Sequence, residues 1–265
     1  MLRSTQTLKG YTIQATDGSM GKVEEILFDD DQWTVRYFVV NTGSWLTGRK
    51  VLISPIAVNG IQADDQKMIV SLSRQQVKQS PDIDTDKPVS RQMEIRYYDY
   101  YHWPYYWTGA GVWGVAPDPA GMLARPYAVS PPENDAHQDE RKDDPHLRSE
   151  NAVRGYAIEA VDARFGQVED FIIDEKNWTI RYLVIDTIKY WPSRSVLISP
   201  DWVLSISWAD RKLRVNLAKD QIKSSPTFDA TALLDRSYEE RLFDYYHRAK
   251  YWDKDSKDDR HRRIG

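Results

Sequence analysis

Histidine is the side chain most suited to acid–base and metal chemistry near neutral pH, and the chain has five. Asp99 and His102 are spaced to share one helix face, as are Asp244 and His247. Each pair could supply half of a metal site. The alternative, which we favour, is a histidine held at a helix end by the helix dipole or packed among tyrosines. We therefore predict no metal and no cofactor. The other three histidines lie in segments where no rigid geometry is expected: His137, His146 and His261.

Acidic residues recur in pairs along the chain, and paired carboxylates can do general acid–base work. We expect Glu25 and Asp170 to face Arg36 and Arg181 across neighbouring strands as surface pairs instead. Phosphate-binding glycine loops, nucleophile elbows and zinc-protease motifs are absent from the sequence. The sequence therefore predicts a protein that is not an enzyme. The recurring pairs are Glu24/Glu169, Glu25/Asp170, Asp29/Asp174 and Asp17/Asp162, of which Asp29 and Asp174 are expected to start turns.

Aromatic side chains are the remaining candidates, since exposed rings beside arginines serve well in docking surfaces. Two groups recur along the chain: rings at helical spacing, and rings beside arginine in a loop. The rings either pack inward on the protein or form a surface for a partner. The candidate partner-binding residues are Tyr97, Tyr100, Tyr101, Trp107, Tyr245, Tyr246 and Trp252 in the first group, and Trp45, Arg49, Tyr190, Trp191 and Arg194 in the second.

An internal repeat organises all of these residues. A shift of 145 residues aligns 8–107 with 153–252 without a gap, and 41 of the 100 aligned pairs are identical. The repeat predicts two modules, at 1–107 and 150–252. Between them, 108–149 is rich in Pro, Gly and Asp and is predicted to be a flexible linker. The charged tail, 253–265, is predicted to be disordered.

Each module begins with short β-branched and aromatic runs separated by turn signals, which is typical of a small barrel or sandwich. In the first module strands are predicted at 10–16, 21–29, 33–41, 50–55, 57–62 and 67–72, with the third in a central, covered position. A short helix follows at 73–80. A second, amphipathic helix is predicted at 89–103, with Ser90 and its counterpart Asp235 as N-caps. The fold class is therefore mainly β, with two tandem small antiparallel barrels, each followed by a short amphipathic helix.

Four sequence features resemble the PRC-barrel domain family: the G-Y-x-I opening, G-x-V-E in the second strand, W-T-[VI]-R-Y-x-V in the third and V-L-I-S-P in the fourth. The resemblance covers 10–84 and 155–229. That barrel occurs in the photosynthetic reaction-centre H subunit and in the ribosome maturation factor RimM. The helical DYYH extension is similar to one in free-standing bacterial members. Neither the H subunit's membrane helix nor RimM's different N-terminal domain is present here.

The resemblance implies a non-catalytic scaffold or adaptor that binds another protein, with a peripheral membrane assembly as one setting. The alternative is a RimM-like factor associated with ribosomal RNA or a ribosomal protein; an enzyme or metal-binding protein ranks third. A formal net charge of -4 supplies no global attraction for nucleic acid. With no cysteine, no signal-peptide pattern and no apolar run long enough to span a bilayer, we expect a cytoplasmic protein. Fusion of a former homodimer predicts an intramolecular pseudo-dimer. Assembly of the whole chain into a further homo-oligomer is left as an open alternative.

Overall fold

The computed structural model describes residues 1–46, 48–82, 88–124, 146–187, 194–230, 232 and 234–253. This part of the chain is mainly β, with two sheets and a few short helices. The chain divides into two compact units. Unit 1 consists of Met1, 3–154 and 170–181, and unit 2 of Leu2, 155–169 and 182–265. Unit 1 therefore contains residues of both sequence repeats.

The first sheet is built around a strand that is covered on both faces. Residues 34–40 are all buried, as expected for an apolar run in a central position. The sheet has the order β5-β4-β3-β2-β7-β6, and β8 pairs with β3. Its strands are β2 (Thr12–Ala15), β3 (Gly18–Asp29), β4 (Thr34–Asn41), β5 (Lys50–Ile53), β6 (Val58–Gln62), β7 (Lys67–Val70) and β8 (Leu147–Ser149).

The second sheet repeats the first, strand for strand, at the same shift of 145 residues. Its order is β13-β14-β9-β10-β11-β12-β15, and β1 (Leu2–Ser4) pairs with β10. The additional β15 (Thr227–Phe228) extends the sheet beside β12. The remaining strands are β9 (Ala157–Glu159), β10 (Arg164–Asp174), β11 (Ile180–Asp186), β12 (Ser195–Ile198), β13 (Val203–Ser207) and β14 (Lys212–Val215).

The prediction of purely antiparallel sheets is wrong at one pair in each sheet. β2 pairs with β7 in parallel, and β9 pairs with β14 in parallel. Parallel neighbours need a long connection, and here four intervening strands provide it. In both sheets the described strand pairings form an open path rather than a closed ring.

Short helices accompany the sheets in the part of the chain that the structure describes. The two N-caps predicted from the sequence are confirmed: the side chain of Ser90 accepts a hydrogen bond from the Met93 amide, and that of Asp235 accepts one from the Tyr238 amide. The helices are α1 (Thr5–Leu8), α2 (Arg74–Gln79), α3 (Arg91–Tyr101), α4 (Pro119–Leu123), α5 (Glu150–Val153), α6 (Lys219–Ser224) and α7 (Arg236–Tyr245). Short 3-10 turns lie at Gly43–Leu46, Pro55–Ala57 and Pro200–Trp202.

Unit 1 contains an internal junction whose backbone hydrogen bonds between residues 33–35 and 178–180 are reciprocal at the 145-residue shift. The Ile180 amide donates to the Trp33 carbonyl at 2.6 Å, and the Val35 amide donates to the Trp178 carbonyl at 2.8 Å. Thr34 and Thr179 form the antiparallel bridge between them. Such reciprocal pairing is the pattern of an isologous, two-fold contact.

Part of the segment predicted to be a flexible linker is packed. Trp113 is fully buried, and its indole N–H donates to the Asn177 carbonyl at 2.7 Å within unit 1. The α4 helix begins at Pro119 with Asp118 as its N-cap. A glycine- and proline-rich composition indicates a loop, but one large aromatic ring is enough to anchor that loop in a core. The rest of this segment, 125–145, and the predicted tail, 254–265, lie outside the described residues.

Candidate functional site

A buried carboxylate forms the centre of the densest polar cluster in unit 1. Glu94, on α3, is fully buried. Its Oε1 accepts hydrogen bonds from the hydroxyls of Tyr37 (2.9 Å) and Tyr106 (2.8 Å). Its Oε2 contacts Arg91 Nη1 at 2.7 Å and His146 Nε2 at 2.6 Å. These four contacts provide the partners that a buried carboxylate needs, so the cluster fixes the helix to the sheet.

The ionisation of these groups follows from their surroundings. Burial on its own would raise the pKa of Glu94, but the hydrogen bond from His146 and the charge of Arg91 outweigh it and hold that pKa below the ordinary value of 4.5. Burial raises the pKa of Tyr37 and of Tyr106 well above 10, so both hydroxyls stay protonated donors. The cluster is thus a fixed ion pair with two neutral donors rather than a poised acid–base pair.

Unit 2 contains the same cluster at the shifted positions. Glu239, on α7, is buried, and its Oε1 accepts from the hydroxyls of Tyr182 and Tyr251, both at 2.7 Å. Arg236 Nη1 lies 3.0 Å from Oε2, and its side chain is about half exposed. Whereas His146 contacts the carboxylate in unit 1, the described residues of unit 2 show no histidine contact to Glu239.

The expected pairing of Arg36 with Glu25 is wrong. Arg36 is buried and lies 3.2 Å from Asp29, donates to the Val112 carbonyl at 2.6 Å, and stacks over Tyr106. Its counterpart Arg181 likewise contacts Asp174 at 3.3 Å. Asp29 ends β3 and Arg36 lies near the start of β4, so the tight turn between these strands brings the two side chains together. The prediction considered only cross-strand pairing with Glu25 and missed this contact.

The carboxylates expected to face these arginines have other partners. Glu25 accepts a hydrogen bond from Ser149, and Asp170 accepts one from Thr5 at 2.8 Å and contacts Arg154 at 3.1 Å. The turn-starting role predicted for Asp29 is confirmed, because its Oδ1 accepts from the amides of residues 31 and 32. Asp174 likewise accepts from the Lys176 amide.

The two histidine pairs lie where their helices end. His102 and His247 take left-handed backbone conformations, with φ of 55° and 51°. Asp99 accepts a hydrogen bond from the Tyr105 hydroxyl at 2.5 Å, and Asp244 contacts Lys250 at 3.0 Å. Among the described residues, no three or more acidic or histidine side chains are grouped so as to hold a metal ion.

The aromatic residues of the two helices divide between core and surface. Tyr97 and Tyr246 are buried, so they are corrected from docking candidates to core residues; burial raises the pKa of Tyr246 to about 12. Tyr245 is exposed and Tyr100 is half-buried; their hydroxyls donate to the carbonyls of Gln221 and Gln76, both at 2.8 Å. Three further candidates are also half-buried: Tyr101, Trp107 and Trp252.

The loop candidates are held by contacts within their own units. Arg49 contacts Asp82 at 2.9 Å and donates to the carbonyls of Ser80 and Pro81. Arg194 donates to the Ser225 carbonyl. Trp45 is half-buried beneath the guanidinium of Arg74. Tyr190 and Trp191 lie outside the described residues.

An open depression of about 640 Å³ lies in unit 1 along β2, β3 and the end of β4. Glu24 lines it and is contacted by Lys50 at 2.9 Å and by the Asn41 amide group at 3.1 Å. The hydrogen bond from Lys50 lowers the pKa of Glu24. The carboxylate of Glu24 is therefore already engaged by neighbouring side chains.

Sequence reasoning missed the two buried glutamates and their partners. The signal was present: Glu94, Arg91 and Tyr106 are each identical to the residue 145 positions later, and Tyr37 is as well. His146 was assigned to a segment without rigid geometry, whereas it contacts Glu94 directly. No composition or spacing rule indicates that contact.

The PRC-barrel domain family model matches residues 3–77, which include most of β1, all of β2 to β7 and most of α2. A search of curated proteins finds no significant match. Among the described residues, no helix is both long enough and apolar enough to cross a membrane.

Proposed function

We propose that this chain is a non-catalytic adaptor protein, built from two PRC-type barrels, that holds another protein in an assembly. The observation that carries the proposal is the PRC-barrel match at residues 3–77. A fold alone does not define a function, so the proposal also depends on how this chain uses its polar residues.

The buried ionisable side chains of the described residues support a structural role. Glu94 and Glu239 each join a helix to a strand through two tyrosine hydroxyls and an arginine. Arg36 is enclosed by an aspartate, a carbonyl and an aromatic ring. Buried side chains whose charged atoms are all bound by neighbouring residues stabilise the fold, whereas a catalytic side chain must reach its substrate.

The second barrel is proposed from contacts rather than from the family model. The two sheets share one strand order, including the parallel pair, and the two glutamate clusters correspond in the glutamate, both tyrosines and the arginine. The junction in unit 1 is reciprocal at the same shift of 145 residues. These features support two copies of one barrel, fused in one chain as an internal pseudo-dimer.

The proposal is tested by purifying the tagged full chain from its source organism after mild cross-linking, and quantifying the proteins that accompany it. We expect a specific protein in a fixed molar ratio that binds again when both partners are purified separately. Recovery of the chain without any stoichiometric protein would contradict the proposal. Recovery of ribosomal particles that dissociate at high salt would favour the ribosome-associated alternative.

A further inference from the structure

The tripeptide Leu-Arg-Ser occurs twice, at residues 2–4 and 147–149, which are related by the shift of 145 residues. Each copy lies just before one of the aligned repeats and forms a short strand. The strand before the first repeat, β1, pairs with β10 of the second, and the strand before the second repeat, β8, pairs with β3 of the first. Such a reciprocal exchange of identical elements is the pattern of a strand-swapped pair.

The end of β3 has an edge that can accept such a strand. β2 pairs with β3 only at residues 18–22, whereas β4 pairs along the opposite edge as far as residue 29. The edge at residues 27–29 is therefore left to another strand, and residues 147–149 pair with it in antiparallel register. An open strand edge presents backbone donors and acceptors to which an extended segment can bind.

Each side chain of the second Leu-Arg-Ser copy has a defined environment in unit 1. Leu147 is buried. Arg148 Nε lies 2.7 Å from Asp30 Oδ2, and both side chains are only 14% exposed. The Ser149 hydroxyl donates a hydrogen bond to Glu25. The edge of β3 thus accommodates an apolar residue, a cation and a hydroxyl in that order.

The first Leu-Arg-Ser copy has equivalent partners. Arg3 contacts Glu175, and the Ser4 hydroxyl donates to Asp170. The backbone contacts correspond too: the amide that follows β3 donates to the carbonyl before β8 at 3.2 Å, and the amide that follows β10 donates to the carbonyl before β1 at 2.9 Å. Both acceptors therefore present a carboxylate to the arginine and another to the serine.

We propose that the edge of β3 at residues 27–29 is a binding site for an extended apolar–Arg–Ser segment, and that residues 147–149 occupy it to join the two repeats. Because the two segments are identical and the two acceptors match, the site recognises the segment itself rather than its position in the chain. A free peptide with the sequence of residues 1–10 therefore binds there once residues 147–149 are displaced. This inference goes beyond the adaptor function and does not depend on it, since every contact in it joins residues of this chain.

Full-length variants displace the resident segment or leave it in place. R148E puts a second carboxylate beside Asp30 in a largely buried contact, and R148Q removes the charge without reversing it, so a failure of R148E to fold still leaves a binding test. The matched control, R96E, makes the same charge change at an exposed arginine of α3. D30R/R148E reverses both charges and should keep residues 147–149 in the site. Circular dichroism establishes that each variant folds.

The probe is a fluorescein-labelled peptide of residues 1–10, and binding is followed by fluorescence anisotropy. We expect R148E and R148Q to bind it at least about tenfold more tightly than wild type, in which the resident segment competes at high effective concentration. R96E and D30R/R148E should bind it as weakly as wild type. The same peptide with the R3E substitution should bind R148E at least about tenfold more weakly, because its glutamate meets Asp30.

Hydrogen exchange then locates the bound peptide. We expect the peptide to slow amide exchange at residues 25–30 of R148E. Protection confined to other parts of the chain would overturn the proposal. It would also be overturned if R148E and R148Q bound the peptide no more tightly than R96E does, or if the parent and R3E peptides bound R148E equally well.

Discussion

Replacing Glu94 with glutamine tests the buried cluster, because the substitution keeps the shape and removes only the charge. Glu94 is fully buried and has four partners, one of them the largely buried Arg91. Removing one member of a buried ion pair costs roughly 3–5 kcal/mol, because the other charge stays buried without compensation. We expect E94Q to lower the free energy of unfolding of unit 1 by about that amount.

The matched variant E239Q should cost less. Glu239 has the same two tyrosine donors, but its arginine, Arg236, is half exposed and water can solvate the guanidinium once the carboxylate is lost. The loss is then mainly that of hydrogen bonds to a charged acceptor, about 1–3 kcal/mol. Amide hydrogen exchange of peptides covering 91–106 and 236–251 reports each cluster separately in a chain of two units.

The stability difference between wild type and E94Q should depend on pH, because the pKa of Glu94 is lowered in the folded protein. A carboxylate whose folded-state pKa is depressed contributes its stability above the unfolded-state pKa and loses it as the pH falls through the folded value. The stability gap between wild type and E94Q should therefore be constant near neutral pH and shrink below the ordinary glutamate pKa of 4.5. A gap no larger than that of E239Q, or one that widens in acid, would refute this account of the cluster.

Three further substitutions test other parts of the structure. R36M should lower the free energy of unfolding by roughly 3–5 kcal/mol, because Asp29 is left buried without its cation; R36K, which keeps the charge, should cost less in urea denaturation. W113A should cost about 3–5 kcal/mol and expose 108–124 to limited proteolysis, whereas a free linker would leave stability unchanged. G21A places a Cβ 2.2 Å from the Asn41 carbonyl oxygen and should cost more than about 2 kcal/mol in thermal unfolding; G60A, with no atom within 4 Å, should stay within about 0.5 kcal/mol.

The sequence was sufficient for the features that depend on local pattern or on the repeat. The apolar run at 34–40 predicted a central covered strand, and Ser90 and Asp235 were recognisable N-caps. The duplication predicted that the elements of the first repeat recur in the second, and the strands do so in order.

The remaining features depend on contacts between residues far apart in the chain. Charge favours exposure, so a glutamate at the position of Glu94 is expected on the solvent side of a helix; only the tyrosines and arginine of the folded protein make its burial favourable. Trp113 lies among glycines and prolines, and composition does not show which loop ring enters a core. The parallel pairing of β2 with β7 is set by how the intervening strands fold back, which no local propensity encodes.

The claim that the second half of the chain repeats the strand order and the tyrosine–glutamate contacts of the first is tested most directly by two double-mutant cycles. One combines Y37F with E94Q, and the other combines Y182F with E239Q. The account predicts a coupling energy of about 1–2 kcal/mol in both cycles, since each tyrosine donates to a buried carboxylate. Coupling in the first cycle with none in the second would contradict the equivalence of the two halves.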